Sequence, residues 1–449
     1  MKTQRQLLNG WGRTQKVTSE VVDLKQITDT ENIFSEANGA GVIARGMGRA
    51  YGDAAQIAGG RVVIQEDRID DSQLSGNHLT VHGGVSLNSI LNSYVPKGYF
   101  VPVTPGTRYV SVGGAIAADI HGKNHHLDGT FTNHVSQFEL ITPTGTHQID
   151  KDLDEDIFWA TAGGMGLTGI IVKATFEMIP IESAYIKMET RRCTNLDELM
   201  AVMLGSDDKF RYSVAWIDLM AKGGDIGRSV LTRGDHAILD ELHGKRAEQP
   251  LKYVANTKLE APKWIPTGTL NTVSIKAFNE LWYRKAPKLR QDQIATLASF
   301  FHPLDGVGSW NRIYGNSGFL QYQFVVPNGQ EETLRKIVER LSAAGVASFL
   351  AVLKRFGAEN KGLLSFPRPG WTLALDIPIG QENLSSLLNE LDDEVLGVGG
   401  RIYLAKDSRA SGPTIHKMYP EIDKFAMIKS KLDPNGLIKS DLSRRLGLI

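Results

Sequence analysis

Lys406 stands in the polar cluster Ala405-Lys406-Asp407-Ser408-Arg409, and His121 in another, Asp119 to His126. A lysine is by default a solvated, salt-bridging side chain. In a pocket it can stabilise an alkoxide or a phosphate, or act as a base if its pKa is lowered. His121 has two readings: a structural histidine bonded to backbone, or a contact to a ligand phosphate or hydroxyl. His125 and His126 are adjacent and point differently, with no acidic or thiol ligand at standard spacing, so no metal site is expected. Gln321 and Gln323 alternate within a strand-like run and face one side. Two amides together can read the hydroxyls of a sugar; the plain alternative is a half-exposed sheet face. Trp216, Tyr314, Lys354 and Trp371 lie in or beside other strand-like runs and join them as candidates.

Three glycine-rich stretches must position these groups, and none has Rossmann spacing. The first is Arg45-Gly46-Met47-Gly48-Arg49-Ala50-Tyr51-Gly52-Asp53, directly after Gly41-Val42-Ile43-Ala44. Its spacing lets several backbone amides point into one concavity, which suits a pyrophosphate; taken alone it also fits a tight turn needing positive φ. The second begins at Pro105-Gly106-Thr107 and continues through Gly113-Gly114-Ala115-Ile116-Ala117 to His121, Gly122 and Asn124. Its small residues leave room for a planar ring against backbone. The third runs from Gly163 to Val172 and includes Gly166, Gly169 and Ile171. Three such loops in one region suggest a large phosphorylated cofactor held mainly by backbone groups, and make an oxidoreductase flavoprotein the leading idea.

A chain of 449 residues should form two or three domains. With 41% hydrophobic and 22% charged residues it can build sizeable cores. Fifty basic and fifty acidic side chains cancel, so nothing global steers it toward nucleic acid or an anionic membrane. Cys193 is the only cysteine; it reads as a surface-loop or strand-end thiol and fits a reducing compartment. The start does not read as a signal peptide, and no run of about 18 apolar residues exists. Any membrane contact is therefore expected to be peripheral.

Residues 1 to about 180 read as strand-rich with short helices, among them 86–94 and 155–160. The texture then changes. Strands are expected at 184–188, 212–217, 319–326 and 371–377, with helices opening at Thr194 or Asn195 and over 331–344 and 382–394. Residues 235–275, with three prolines, read as a long surface segment. Residues 401–409 read as a strand running into the Lys406 cluster, and the last 40 or so as helical.

On ARGMGRAYGD, PVTPGTRYVSVGGAIAADIHGKNHH, FWATAGGMGLTGII, ELWYRK, GFLQYQFVVP, LSFPRPGW, AKDSR and the tail DLSRRLGLI, the chain resembles vanillyl-alcohol-oxidase-type flavoproteins. Within them it is most similar to the decaprenylphosphoryl-β-D-ribose 2'-oxidase family. The resemblance implies an α+β, two-domain FAD-binding fold. It divides the chain into an FAD-binding domain over 1–185, a substrate domain over 186–400 and a segment, 401–449, returning to the first domain. It also implies oxidation of the 2'-hydroxyl of a polyprenyl-phosphate-linked ribose to the 2'-keto sugar. An NADH-dependent short-chain reductase partner would complete epimerisation to the arabinose form for cell-wall arabinan. A quinone-type acceptor would take the electrons, and the location would be cytoplasmic or peripheral on the inner face of the plasma membrane, the periplasmic side staying open. Tyr51 and His121 would contact flavin or frame the ribose; Gln321, Gln323, Lys354 and Lys406 would line the substrate cavity, with Tyr314, Trp216 and Thr372 beside them.

Two departures from the pattern stand out. Many relatives attach FAD through a histidine in the first glycine loop, whereas Gly48-Arg49-Ala50-Tyr51 offers no nucleophile, so FAD should be non-covalent. The family often carries Asn and Cys in the strand after Gly-Trp, where this chain has Thr372 and Ala374. Hydride transfer needs reacting atoms held roughly 3 to 3.5 Å apart, while the alcohol proton leaves. Lys406 is the group expected at the developing alkoxide, with His121 on the sugar or phosphate side. Two rivals stay open: an alditol or aldonolactone oxidase acting on a small soluble sugar, and a non-catalytic flavin- or nucleotide-binding regulator.

Overall fold

Two β-branched runs, at 42–43 and 62–63, are buried and pair in parallel, Val42 opposite Arg61 and Arg45 opposite Ile64. They complete a four-stranded sheet with Gln4–Asn9 and Lys16–Asp23. The computed structural model describes residues 3–26, 31–35 and 39–448; Ile449, the last residue of the tail motif, lies outside them. A second, five-stranded antiparallel sheet is ordered Gln73–Ser75, His78–His82, Ile170–Glu177, Val135–Thr142, Gly145–Asp150. The Leu87–Tyr94 helix buries Leu87, Ile90, Leu91 and Tyr94, the spacing of one helical face, and its Ser86 cap accepts from Ser89 N.

From Tyr185 onward a different sheet forms. Eight antiparallel strands run in the order Leu289–Thr296, Tyr185–Cys193, Ser229–His236, Tyr212–Ile217, Ala351–Phe356, Gly370–Pro378, Phe319–Pro327, Arg401–Ile402. The Glu331–Ala343 and Leu384–Gly397 helices bury Leu334, Ile337, Val338 and Leu341, and Leu388, Leu391 and Val395. They cover one face of this sheet and leave the other to the site. The architecture is mixed α+β, as expected.

Three expectations are corrected. The strand expected over 401–409 is only Arg401–Ile402; beyond it Lys406 N and Asp407 N both donate to Tyr403 O, turning the chain sharply. Cys193 ends a strand but is fully buried, and burial pushes its thiol up to about 11. Trp371 is core: it is fully buried and its indole N–H donates to Glu331 at 2.9 Å.

The C-terminal segment reaches back to the first sheet. Val42 N donates to Leu437 O at 2.8 Å and Lys439 N to Val42 O at 3.0 Å. Arg445 then grips Asp53 with Nε and Nη2, each at 2.8 Å, and Asp407 with Nη1 at 2.8 Å. One guanidinium thus ties the tail, the end of the first glycine loop and the residue after Lys406 together.

Candidate active site

A cavity of about 1240 Å³ lies between the glycine loops and the uncovered face of the eight-stranded sheet. Register explains the roof. Gln321 pairs opposite Asp376, Gln323 opposite Ala374 and Lys354 opposite Thr372. Because side chains alternate along a strand, these six share one face. Trp216 joins them from the next strand, opposite Val352.

The residues expected at the cofactor, 45–51, 105–107, Gly113, Gly114, Ala117, His121, Gly122, Gly166, Gly169 and Ile171, line this cavity, as do Trp216, Gln321, Gln323, Lys354 and Lys406. Five others do not. Gly52 packs against the Lys406 turn, where a Cβ would lie 2.0 Å from Asp407 O. Ile116 is core. Asn124 is buried and donates to Pro102 O at 2.9 Å and Asp128 at 2.7 Å. Tyr314 stacks on Phe319 with centroids 4.0 Å apart and donates to Asp376 at 3.3 Å. Thr372 is fully buried and donates to Phe324 O at 2.9 Å. Tyr314 and Thr372 therefore stand behind the wall and orient residues in it.

His121 is bonded to side chains rather than backbone. Gln323 Nε2 lies 3.0 Å from His121 Nε2 and 3.2 Å from Thr372 Oγ1. Since Thr372 spends its proton on Phe324 O, it accepts from Gln323. The same amide then donates to His121 Nε2, which places the imidazole proton on Nδ1. Lys354 Nζ lies 3.0 Å from Nδ1: as a neutral amine it accepts that proton, and as an ammonium it donates to Nδ1 instead, with the imidazole proton on Nε2 and the Gln323 amide turned to accept it. Burial, aided by the nearby charges of Lys123 and Lys406, brings Lys354 down to about 7, so the neutral form is accessible. His121 itself is held neutral, its pKa driven well below the usual value by burial and then by Lys354.

Lys406 places its Nζ 4.1 Å from the centroid of the Tyr51 ring. Its turn is pinned to the first loop by Tyr51 N donating to Ala405 O at 3.0 Å. Burial lowers the Lys406 pKa, and the charge of Asp376 partly restores it. Asp376 is buried and accepts from Gln321 at 2.5 Å; burial pushes its pKa up. Asp376 was not among the expected residues, although an acid at two-residue spacing from Thr372 and Ala374 in an apolar strand marks the same face. Lys123 was also passed over. It lines the cavity, donates to Phe300 O and lies 4.6 Å over the Phe300 ring, and burial brings it to about 7.

The first loop meets what a dinucleotide requires. Among the described residues, the N–H groups of Met47, Gly48, Arg49 and Ala50 find no acceptor in the chain, while all four residues line the cavity. Consecutive free amides on a concave wall form an anion nest. Gly106 also lines the cavity, and a Cβ there would enter open space, so its absence leaves room for a ligand. No side chain from 48 to 51 is a histidine, and the FAD is held non-covalently. Among the described residues, no group of three or more His, Cys, Asp or Glu is placed to hold a metal.

Comparison with known proteins agrees with this geometry. The FAD binding domain family matches residues 19–149. Together with the cavity and its polar roof, this makes the protein an FAD-dependent oxidoreductase of the vanillyl-alcohol-oxidase type. The decaprenylphosphoryl-β-D-ribose oxidase of Mycolicibacterium smegmatis is 45% identical, over 98% of this chain and 97% of that protein. The L-gulono-1,4-lactone dehydrogenase of Mycobacterium tuberculosis is 20% identical, over 91% of this chain and 90% of its own. A cytokinin dehydrogenase of Oryza sativa is 29% identical over 33% of the chain. The chain belongs to the decaprenylphosphoryl-β-D-ribose oxidase family.

Proposed function

We propose that the enzyme oxidises the 2'-hydroxyl of polyprenyl-phosphoryl-β-D-ribose to the 2'-keto sugar, the first half of epimerisation to the arabinose form used in cell-wall arabinan. The observation that carries this reading is the cluster in which Gln321, Gln323 and Lys354 of the sheet roof meet His121 of the second glycine stretch and Lys406 of the turn after the last strand. Bound FAD supplies the hydride acceptor. The protein's residues supply orientation and charge. Gln321 and Gln323 address sugar hydroxyls. Lys406 faces the oxygen whose negative charge grows as the hydride departs. Lys354 and Lys123, each close to neutrality in its pKa, provide cationic charge for the phosphodiester. An NADH-dependent short-chain reductase is the proposed consumer of the ketone, and a quinone-type compound the electron acceptor. The proposed location is cytoplasmic or peripheral on the inner face of the plasma membrane. No helix among the described residues is long and apolar enough to cross a membrane. An aldonolactone or alditol oxidase is the second reading, favoured by the 20% likeness to a lactone dehydrogenase.

Trapping the product with borodeuteride tests the regiochemistry. Deuterium should appear at C2' of the lipid-linked sugar, as a mixture of ribo and arabino forms. Deuterium at any other carbon would contradict the assignment.

Phosphate recognition by Lys354 carries a pH signature. Its pKa is lowered to about 7, so the charge that attracts phosphate is present below that value and lost above it. kcat/KM for the phosphorylated substrate should therefore fall as pH rises through the range just above 7, approaching about tenfold per unit. Lys354→Met should weaken this step, and Lys354→Met with Lys123→Met should abolish it. An undiminished step in the double variant would assign it to another group.

A further inference from the structure

The Thr272–Lys285 helix is fastened on one side only. Ile275 is buried beside Met220 and Ala347, and Asn279 donates to Asp218 at 2.7 Å. Asn271 caps the start, accepting from Val273 N and Ser274 N. At 100° per residue, Val273, Ala277 and Leu281 fall in one stripe on the far side, while Phe278 and Trp282 lie on the flank nearer Ile275. That stripe faces solvent, Val273 being 79% exposed and Leu281 69%, and on the flank Trp282 is 47% exposed. Trp264, in the preceding loop, is 79% exposed. Contiguous exposed apolar residues of this kind mark an interaction surface.

Two further observations say what it meets. Phe278 and Trp282, on the flank of the same helix, line the cavity, so exposed apolar side chains continue from the cavity outward to Val273 and Leu281. The surrounding stretch 245–290 is strongly basic in a chain that is neutral overall. It holds ten Lys and Arg against three Glu, a difference of seven, and all ten basic residues are exposed. Arg284 and Lys285 lie in the helix's last turn. Exposed aromatic and aliphatic side chains ringed by cations are the chemistry of an anionic membrane interface, where apolar side chains enter the acyl boundary and Lys and Arg meet lipid phosphates.

We propose that this helix and its basic flanks dock the enzyme on an anionic lipid bilayer, with the cavity mouth facing the surface so that a lipid-anchored substrate enters without leaving the membrane. The partner is the bilayer itself. This rests on the lipid-linked substrate proposed above, and the test separates the two.

Flotation with phosphatidylcholine vesicles, with and without phosphatidylglycerol, reads the surface. The holoenzyme should float with the anionic vesicles, far less with neutral ones, and less at high salt. Val273→Glu with Leu281→Glu, and separately Lys276→Glu with Lys285→Glu and Lys288→Glu, should each lower binding roughly tenfold or more. None of these residues lines the cavity, so flavin reduction by a short-chain ribosyl phosphodiester in detergent should stay as in the parent enzyme. Failure of the parent to float, or undiminished flotation of both variants, overturns the proposal. So does lipid-free dimerisation abolished by Leu281→Glu, which would assign the face to a second copy. Flotation as expected without flavin reduction by lipid-linked ribose would leave the surface standing and remove the substrate; the reverse pattern would remove the surface alone.

Discussion

Lys406→Ala should keep its FAD and yet be reduced by lipid-phosphoryl ribose about 10²-fold more slowly or worse, the usual effect of losing a buried charged contact to the transition state. The lysine sits over the Tyr51 ring at the junction of the sheet roof and the first glycine loop. Its removal need not unfold the site. Asp376, already pushed toward its neutral form by burial, can take up a proton instead of being stranded as a charge. Stopped-flow flavin absorbance measures the reductive half-reaction directly. Near-normal reduction would take Lys406 out of the chemistry, and loss of flavin in Lys406→Met would make its role structural.

Arg445→Met should cost roughly 3 kcal/mol of stability, the low end of what breaking a buried ion pair costs. The arginine binds two carboxylates, and Asp53 and Asp407 are each only 2% exposed. Without it both are buried without their cation. The low end applies because the Arg445 side chain is itself 21% exposed, so water reaches it. The first glycine loop and the Lys406 turn are both anchored there, so weaker FAD retention should accompany the loss. Denaturant unfolding of the holoenzyme gives the number. A change below about 1 kcal/mol would show that the guanidinium is not the tie between tail and loop.

The glycine loops were legible because each is local: Gly106 leaves open space in the cavity, Gly48 takes a left-handed φ and Gly46 passes against Ser111, and neighbours in sequence are neighbours in space. Gln321 and Gln323 were legible for a similar reason, since alternation along one strand places both on one face. What sits opposite them was not. Asp376 reaches Gln321 only through the pairing of two strands about 50 residues apart, and pairing register is a long-range property. The same limit explains Tyr314 and Thr372: Thr372 is on the right face but lies beneath Gln323, and Tyr314, just before the strand, is covered by Phe319. The 401–409 segment misled because its apolar start continues the eight-stranded sheet for only two residues. It then turns toward the first domain, a change of direction set by Tyr403, whose hydroxyl donates to Ala118 O at 2.7 Å. The exposed stripe on the Thr272–Lys285 helix was invisible for another reason: an amphipathic pattern does not say whether its apolar face is covered.

Anaerobic reduction of the bound flavin tests the central claim most directly. The enzyme is mixed in turn with a polyprenyl-phosphoryl ribose, xylitol, sorbitol and a free aldonolactone, and the loss of flavin absorbance is followed. Buried amides and cations that lose their hydroxyl and phosphate partners are left unpaired, so the site should discriminate strongly. The lipid-linked ribose should bleach the flavin at least about 10²-fold faster than any of the soluble sugars. Comparable bleaching by a free alditol or lactone, with no gain from the phosphate, would contradict the assignment and move the enzyme to the soluble-sugar oxidases.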